Sequence, residues 1–122
     1  MKQKKIPENI KELVYGTTIS QDGCKILELE RNEQYSLAYG ELAVGEESKA
    51  HKMEMQELYY IIQGKGKITV NKEEKEIEKG DIIILPEEAV QKLENTGKEP
   101  LKFLMIVNPP YDSEKEQIVE EL

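Results

Sequence analysis

The chain has one cysteine, one histidine and one arginine among its 122 residues. Each scarcity excludes something. Cys24 alone can neither close an intrachain disulfide nor build a thiolate metal cage, so it reads as a small, partly buried hydrophobe. A single imidazole, His51, cannot by itself supply the two histidines that oxygen-activating non-haem iron commonly uses beside a carboxylate. No apolar run approaches the ~18 residues of a membrane-spanning helix. The basic start, Met1 to Lys5, is followed by Ile6-Pro7-Glu8-Asn9 rather than an apolar stretch, so no secretory signal is expected and a cytoplasmic location is. Basic surface is also missing. With a net charge of −8 and no lysines interleaved with aromatics, neither nucleic acid nor an anionic membrane is expected as a partner.

What is present is 38% hydrophobic and 34% charged residues, enough for one soluble domain over 1–122 with a modest core. Lysine and glutamate dominate the charges, a bias that points weakly toward a thermophilic source. Pro7 is suited to a first helical turn, and Ile10, Leu13 and Val14 follow at helical spacing, so a short helix is expected over Pro7 to Leu13. Beyond it the punctuation changes. Short apolar or alternating runs are separated by turn signals at Asp22-Gly23, Arg31-Asn32, Gly45, Gly64 to Gly66, Asn71-Lys72, Lys79-Gly80-Asp81, Pro86 and Asn95 to Gly97. About eight such runs predict an all-β sandwich or barrel.

Two kinds of strand are expected. Lys67 to Val70 and Glu76 to Glu78 alternate, so each should wet one face. Leu58 to Ile62 and Ile82 to Leu85 are continuously apolar, which calls for cover on both faces and favours a homodimer over packing under the amino-terminal helix. Gly64-Lys65-Gly66 lacks the helix and hydroxyl of a phosphate loop and reads as a hairpin turn. Asn108-Pro109-Pro110 stops the last strand, leaving Asp112 to Leu122 as a final helix or a frayed end.

One frame of positions is more specific. Gly45, five residues, His51, one, Met53, three, Glu57, six, Gly64 is followed by Gly80, five residues, Pro86, one, Glu88, two, Gln91, three, Asn95. These two segments, 45–64 and 80–95, resemble the paired signatures of small single-domain cupins, and Pro109-Pro110-Tyr111 resembles the end of a strand in such proteins. The resemblance implies an all-β jelly-roll barrel, the double-stranded β-helix, with any site in a well inside it. Seven spaced positions agree. Met53 stands where the family has a second histidine, Gln91 where it has a third, and Glu88 where it has a glycine.

By the same resemblance the metal positions are His51, Met53, Glu57 and Gln91; Tyr59, which shares parity with Glu57, and Phe103 or Met105 are expected to line the well or to pack in the core. Only the imidazole and the carboxylate are strong ligands for common divalent metals; a thioether is soft and suits copper(I), and an amide oxygen is hard and neutral. A divalent or copper ion is thus expected to be weakly held or absent, and no organic cofactor is indicated. Without a metal, Met53 packs, Gln91 is hydrogen-bonded and Glu57 pairs with His51. Those two are then the candidate acid–base groups, since an apolar well raises a carboxyl pKa toward neutrality. Residues Lys52 and Lys92 have the opposite parity and should point to solvent. Pro86 to Ala89 is expected to form a type I turn, because glutamate at 88 resists the positive φ a glycine would take. The favoured function is binding of a small molecule such as a sugar or carboxylate, and the alternative is a metal-dependent isomerase, lyase or oxygenase using the His/Met/Glu/Gln set.

Overall fold

A computed structural model describes residues 1–8, 17–19 (backbone only) and 23–120. Within them run eleven strands: β1 (Thr17–Ile19), β2 (Lys25–Arg31), β3 (Ser36–Leu42), β4 (His51–Met53), β5 (Gln56–Gln63), β6 (Lys65–Val70), β7 (Glu73–Glu78), β8 (Ile82–Leu85), β9 (Gln91–Asn95), β10 (Leu101–Asn108) and β11 (Glu116–Ile118). They form two antiparallel sheets. The larger has the order β1-β2-β3-β10-β5-β8 and the smaller β11-β4-β9-β6-β7. From β3 onward the chain changes sheet at almost every step, which is the winding of a jelly roll. Pro7 and Glu8 are not helical, and the rest of the helix expected over Pro7 to Leu13 lies outside the described residues.

Between the sheets sits one principal core. Tyr59 and Ile61 from β5, Phe103 and Met105 from β10, and Ile68 and Leu93 from the smaller sheet are all buried there. Rings of Tyr59 and Phe103 meet at 5.4 Å between centroids, tilted by 49°, a geometry that adds aromatic attraction to area burial. Cys24 is buried in the same cluster, as its small apolar character predicts.

Gly64 to Gly66 proves to be a corner and not a hairpin. β5 and β6 belong to different sheets, so the chain turns between layers at Gly64, whose φ is +94°. Gly66 is needed for closeness instead: a Cβ there would stand 2.5 Å from the Glu94 carbonyl oxygen of β9. Both glycines let the sheet edges approach. The two-residue loop of the expected Asn71-Lys72 turn joins β6 to β7, with φ of 48° and 73° as a type I′ hairpin requires.

The continuously apolar strands resolve into two faces. Tyr59, Ile61 and Leu85 point into the core, whereas Tyr60, Ile82 and Ile84 point outward and are exposed, Ile82 at 61% and Ile84 at 77%. Cover for the outer face is therefore not supplied by the described residues of the chain.

The tail takes neither expected form. Asp112 caps a 3-10 turn over Ser113–Lys115 by accepting from the Glu114 amide, and β11 follows, pairing with β4 at the edge of the smaller sheet. Bonds from Glu54 N to Lys115 O and from Val119 N to Ala50 O extend the zipper at both ends. Those backbone groups, unmet in an isolated charged tail, explain why a segment with weak apolar patterning becomes a strand.

Candidate functional site

Four of the resemblance-derived positions are buried inside the barrel: His51, Met53, Glu57 and Gln91. β4 contributes the first two. Only three residues long, it lies between β11 and β9, and alternation turns His51 and Met53 inward while Lys52 looks out toward Glu88, 3.9 Å away. Lys92 also points out, 3.1 Å from Glu47.

The turn after Pro86 sets the height of β9. Glu88 has a φ of +66°, so the type I turn expected to avoid positive φ does not form. Its amide donates to the Met53 carbonyl at 2.8 Å and ties the turn to β4. That bond holds a glutamate in a left-handed conformation costing about 1 kcal/mol relative to glycine. Gln91 consequently enters the well, directly across the β4–β9 ladder from His51.

Each donor then has a specific environment. The Tyr59 hydroxyl donates to Gln91 Oε1 at 3.2 Å, occupying the amide atom that would bind a metal. Met53 packs with Met55 and Val107, with Tyr111 against them, in a small second cluster. It behaves as a core side chain there. His51 Nδ1 lies 2.9 Å from the Lys49 carbonyl. Glu57 shares the inner face of β5 with Tyr59; its Oε1 is buried without a hydrogen bond, while the residue is engaged through other interactions. No group of three or more His, Cys, Asp or Glu side chains able to hold a metal converges among the described residues. The donor set does not match a resident catalytic metal.

β11 adds a residue that reading the tail as a helix or frayed end hides. Glu116 is inward-facing opposite Met53, and its Oε2 stands 3.9 Å from His51 Nε2, with both side chains almost wholly buried. Its Oε1 accepts from the Tyr111 hydroxyl at 2.8 Å. The sequence carries only a faint signal for it, the apolar pair Ile118-Val119 in a charged tail. Asn95 matches its motif position for a structural reason: Nδ2 donates to the Leu42 and Glu99 carbonyls and Oδ1 accepts from Gly97 N, closing the loop after β9. Phe103 lies in the principal core beside Tyr59.

A cavity of about 710 Å³ lies elsewhere, on the outer face of the smaller sheet. Lys67, Thr69, Lys92 and Glu94 line it, and they alternate with the buried Ile68 and Leu93. Its lysines are already compensated, Lys67 by Glu94 at 3.4 Å and Glu74 at 3.5 Å, and Lys92 by Glu47. The Glu94 carboxylate, with Glu74, raises the Lys67 pKa. Such a face is a solvated lattice of ion pairs, whereas His51 on β4 and Glu116 on β11 face the interior from the same sheet and Glu57 faces it from the other.

No helix of the described residues is long and apolar enough to cross a membrane. The cupin domain family profile matches residues 38–107. An uncharacterized protein of Methanocaldococcus jannaschii is 39% identical over 108 residues, which covers 84% of this chain and 86% of that one. Among solved structures, a cupin-2 domain protein from Rhodospirillum rubrum superposes with a TM-score of 0.72 at 21% identity, covering 98% of this chain and 81% of its own. A predicted oxalate decarboxylase from Thermotoga maritima reaches a TM-score of 0.65 at 26% identity over 70% of this chain and 80% of that one. The jelly-roll winding, the inward His51 and Glu57, and the profile match over most of the barrel agree: the chain belongs to the cupin family.

Proposed function

We propose that the protein binds a small polar molecule in the barrel well, with a metal held weakly or not at all. The observation that carries this reading is the polar set His51, Glu57 and Gln91, buried inside the barrel with Gln91 accepting from the Tyr59 hydroxyl. Burying these groups costs stability that an apolar barrel would not lose, so their presence points to use. A thermal-shift screen of small polar compounds tests it, since a ligand that binds only the native state raises Tm. The expected result is a saturable rise that Gln91→Ala and His51→Ala both remove. A rise that survives both substitutions would move binding out of the well.

The metal-dependent alternative, an isomerase, lyase or oxygenase, draws on the likeness to the predicted oxalate decarboxylase of Thermotoga maritima. It requires Met53 to leave its packing cluster and Gln91 Oε1 to leave Tyr59. Near-stoichiometric metal in the purified protein would favour it.

A homodimer through the outer face of the larger sheet completes the reading. Cross-strand partners there form two apolar rows, Ile84-Leu58-Ile106-Leu37 and Ile82-Tyr60-Leu104-Tyr39. The exposed members, Tyr60, Ile82, Ile84 and Ile106, present roughly 400–500 Å² of surface, enough to form the apolar centre of a standard interface of about 800 Å² per partner. These rows contain no charge that would select a foreign partner. A second copy offers the same rows about a two-fold axis.

A further inference from the structure

β8 ends the larger sheet, and no strand of the described residues pairs with its outer edge. Its ladder with β5 sets which backbone groups are free. Ile61 N donates to Asp81 O at 2.9 Å, and in an antiparallel pair bonded and non-bonded opposites alternate along the strands. Tyr59 and Ile83 are therefore a bonded pair, while Ile82 opposite Tyr60 and Ile84 opposite Leu58 are not. The amides and carbonyls of Ile82 and Ile84 thus point away from β5. Such an edge is a template for another strand unless charge guards it. β7, at the edge of the smaller sheet, is guarded in this way, and β8 is not.

The edge also fits itself. A two-fold axis at Ile83 sets Ile82 of one copy opposite Ile84 of the other, and repeats that pairing on the far side of the axis. Both pairs are bonded ones, so every free group of Ile82 and Ile84 is met. Neighbouring registers do worse. An axis at Ile84 sets Ile82 against Pro86, which has no N–H, and an axis at Ile82 sets Ile84 against Gly80, whose N–H already bonds the Ile61 carbonyl. With the axis at Ile83, the exposed Ile82 and Ile84 side chains become cross-strand neighbours, a favourable pairing for β-branched residues. The apolar rows of one copy then run on into those of the other. On the inner side, Ile83 meets Ile83 at a groove of about 420 Å³ between β8 and β7, lined by Ile68, Val70 and Ile77.

We propose that two copies pair β8 with β8, antiparallel about an axis at Ile83, and so join their larger sheets into one. This goes beyond packing of the outer faces, because the contact runs within the sheet and leaves Tyr60 and Ile106 uncovered. Its area is smaller than a standard interface, so the pairing is reversible, with dissociation at roughly micromolar concentration or above. Each chain carries a net charge of −8, and Glu76 and Asp81 stand at the groove. Pairing therefore tightens as salt screens the repulsion.

Disulfide trapping tests the register. The non-bonded pair at the axis has Cα atoms about 4.5 Å apart, within disulfide reach, whereas Ile82 of the two copies lies on a diagonal of roughly 7–8 Å, beyond it. Cys24 is buried, so wild type gives the baseline. Under mild oxidation, Ile83→Cys is expected to yield at least about tenfold more covalent dimer than Ile82→Cys. The reverse order would overturn edge pairing and leave packing of the outer faces, where Ile82 points and Ile83 does not. A second comparison does not depend on a cysteine folding well at position 83. Ile84→Ala and Ile84→Pro both remove the exposed side chain, but only proline removes the N–H aimed at the second copy, and an edge strand tolerates it. Ile84→Pro is expected to weaken self-association about tenfold more than Ile84→Ala in analytical ultracentrifugation. Equal effects would overturn the pairing and leave the outer-face dimer; a monomeric wild type would overturn both.

Discussion

The two sheets of this barrel carry different burdens. Their inner faces meet in one core, but the larger sheet is apolar on its outer face as well, through Tyr60, Ile82, Ile84 and Ile106, whereas the smaller sheet is covered outside by Lys67, Glu74, Lys92 and Glu94. The smaller sheet brings most of the site's polarity inside, with His51, Gln91 and Glu116 on its inner face, and Glu57 joins them from β5 of the larger sheet. The same contrast holds at the edges. β7 presents Glu73, Glu74, Lys75, Glu76 and Glu78, the charges that keep an edge strand from pairing with another chain, while the edge strand β8 is Ile-Ile-Ile-Leu with none. A sheet whose edge strand lacks charge and whose outer face is apolar across β8, β5 and the middle of β10 is suited to being covered there, and one that wets its outside carries its polar groups inside for a different purpose.

The largest effect should come from the core side of the larger sheet. Phe103→Ala removes a fully buried ring that packs on Tyr59 and is expected to cost about 3–5 kcal/mol in denaturant unfolding. Next comes the outer face. Ile82→Lys with Ile84→Lys is expected to weaken self-association by about a hundredfold or more in analytical ultracentrifugation, while Thr69→Lys on the smaller sheet leaves it unchanged. A monomeric wild type would break this half of the comparison. On the polar side, His51→Ala is expected to keep a cooperative melt, losing less than Phe103→Ala, because the barrel is held by its apolar strands; a variant that no longer folds would make His51 a structural residue. The smallest effect is at the turn joining the sheets, where Glu88→Gly relieves the positive φ and should stabilise by about 1 kcal/mol.

Much of this architecture is legible in the residues. Turn signals and alternation predict an all-β chain, and the resemblance of the glycine, proline and asparagine frame to the cupin signatures places His51, Glu57 and Gln91 inside. What the sequence hides depends on contacts distant along the chain. Gly64 reads as a hairpin because local chemistry cannot say that its two strands join different sheets. Glu88 reads as unable to hold positive φ because the bond to the Met53 carbonyl that helps hold it there comes from 35 positions earlier. Glu116 is invisible for the same reason: three residues of charged tail become a strand only when β4 offers its free edge. The apolar rows of the larger sheet are readable as strands needing double cover, but which residues face out follows only from the register.

Elemental analysis of untagged protein, purified from ordinary medium beside Met53→His with Gln91→His, tests the central claim most directly. Less than about a tenth of a metal ion per chain is expected in the wild type, and about one in the double variant, whose added imidazoles restore ligand strength. Near-stoichiometric metal in the wild type would contradict it, showing that a thioether and an amide have been recruited as ligands.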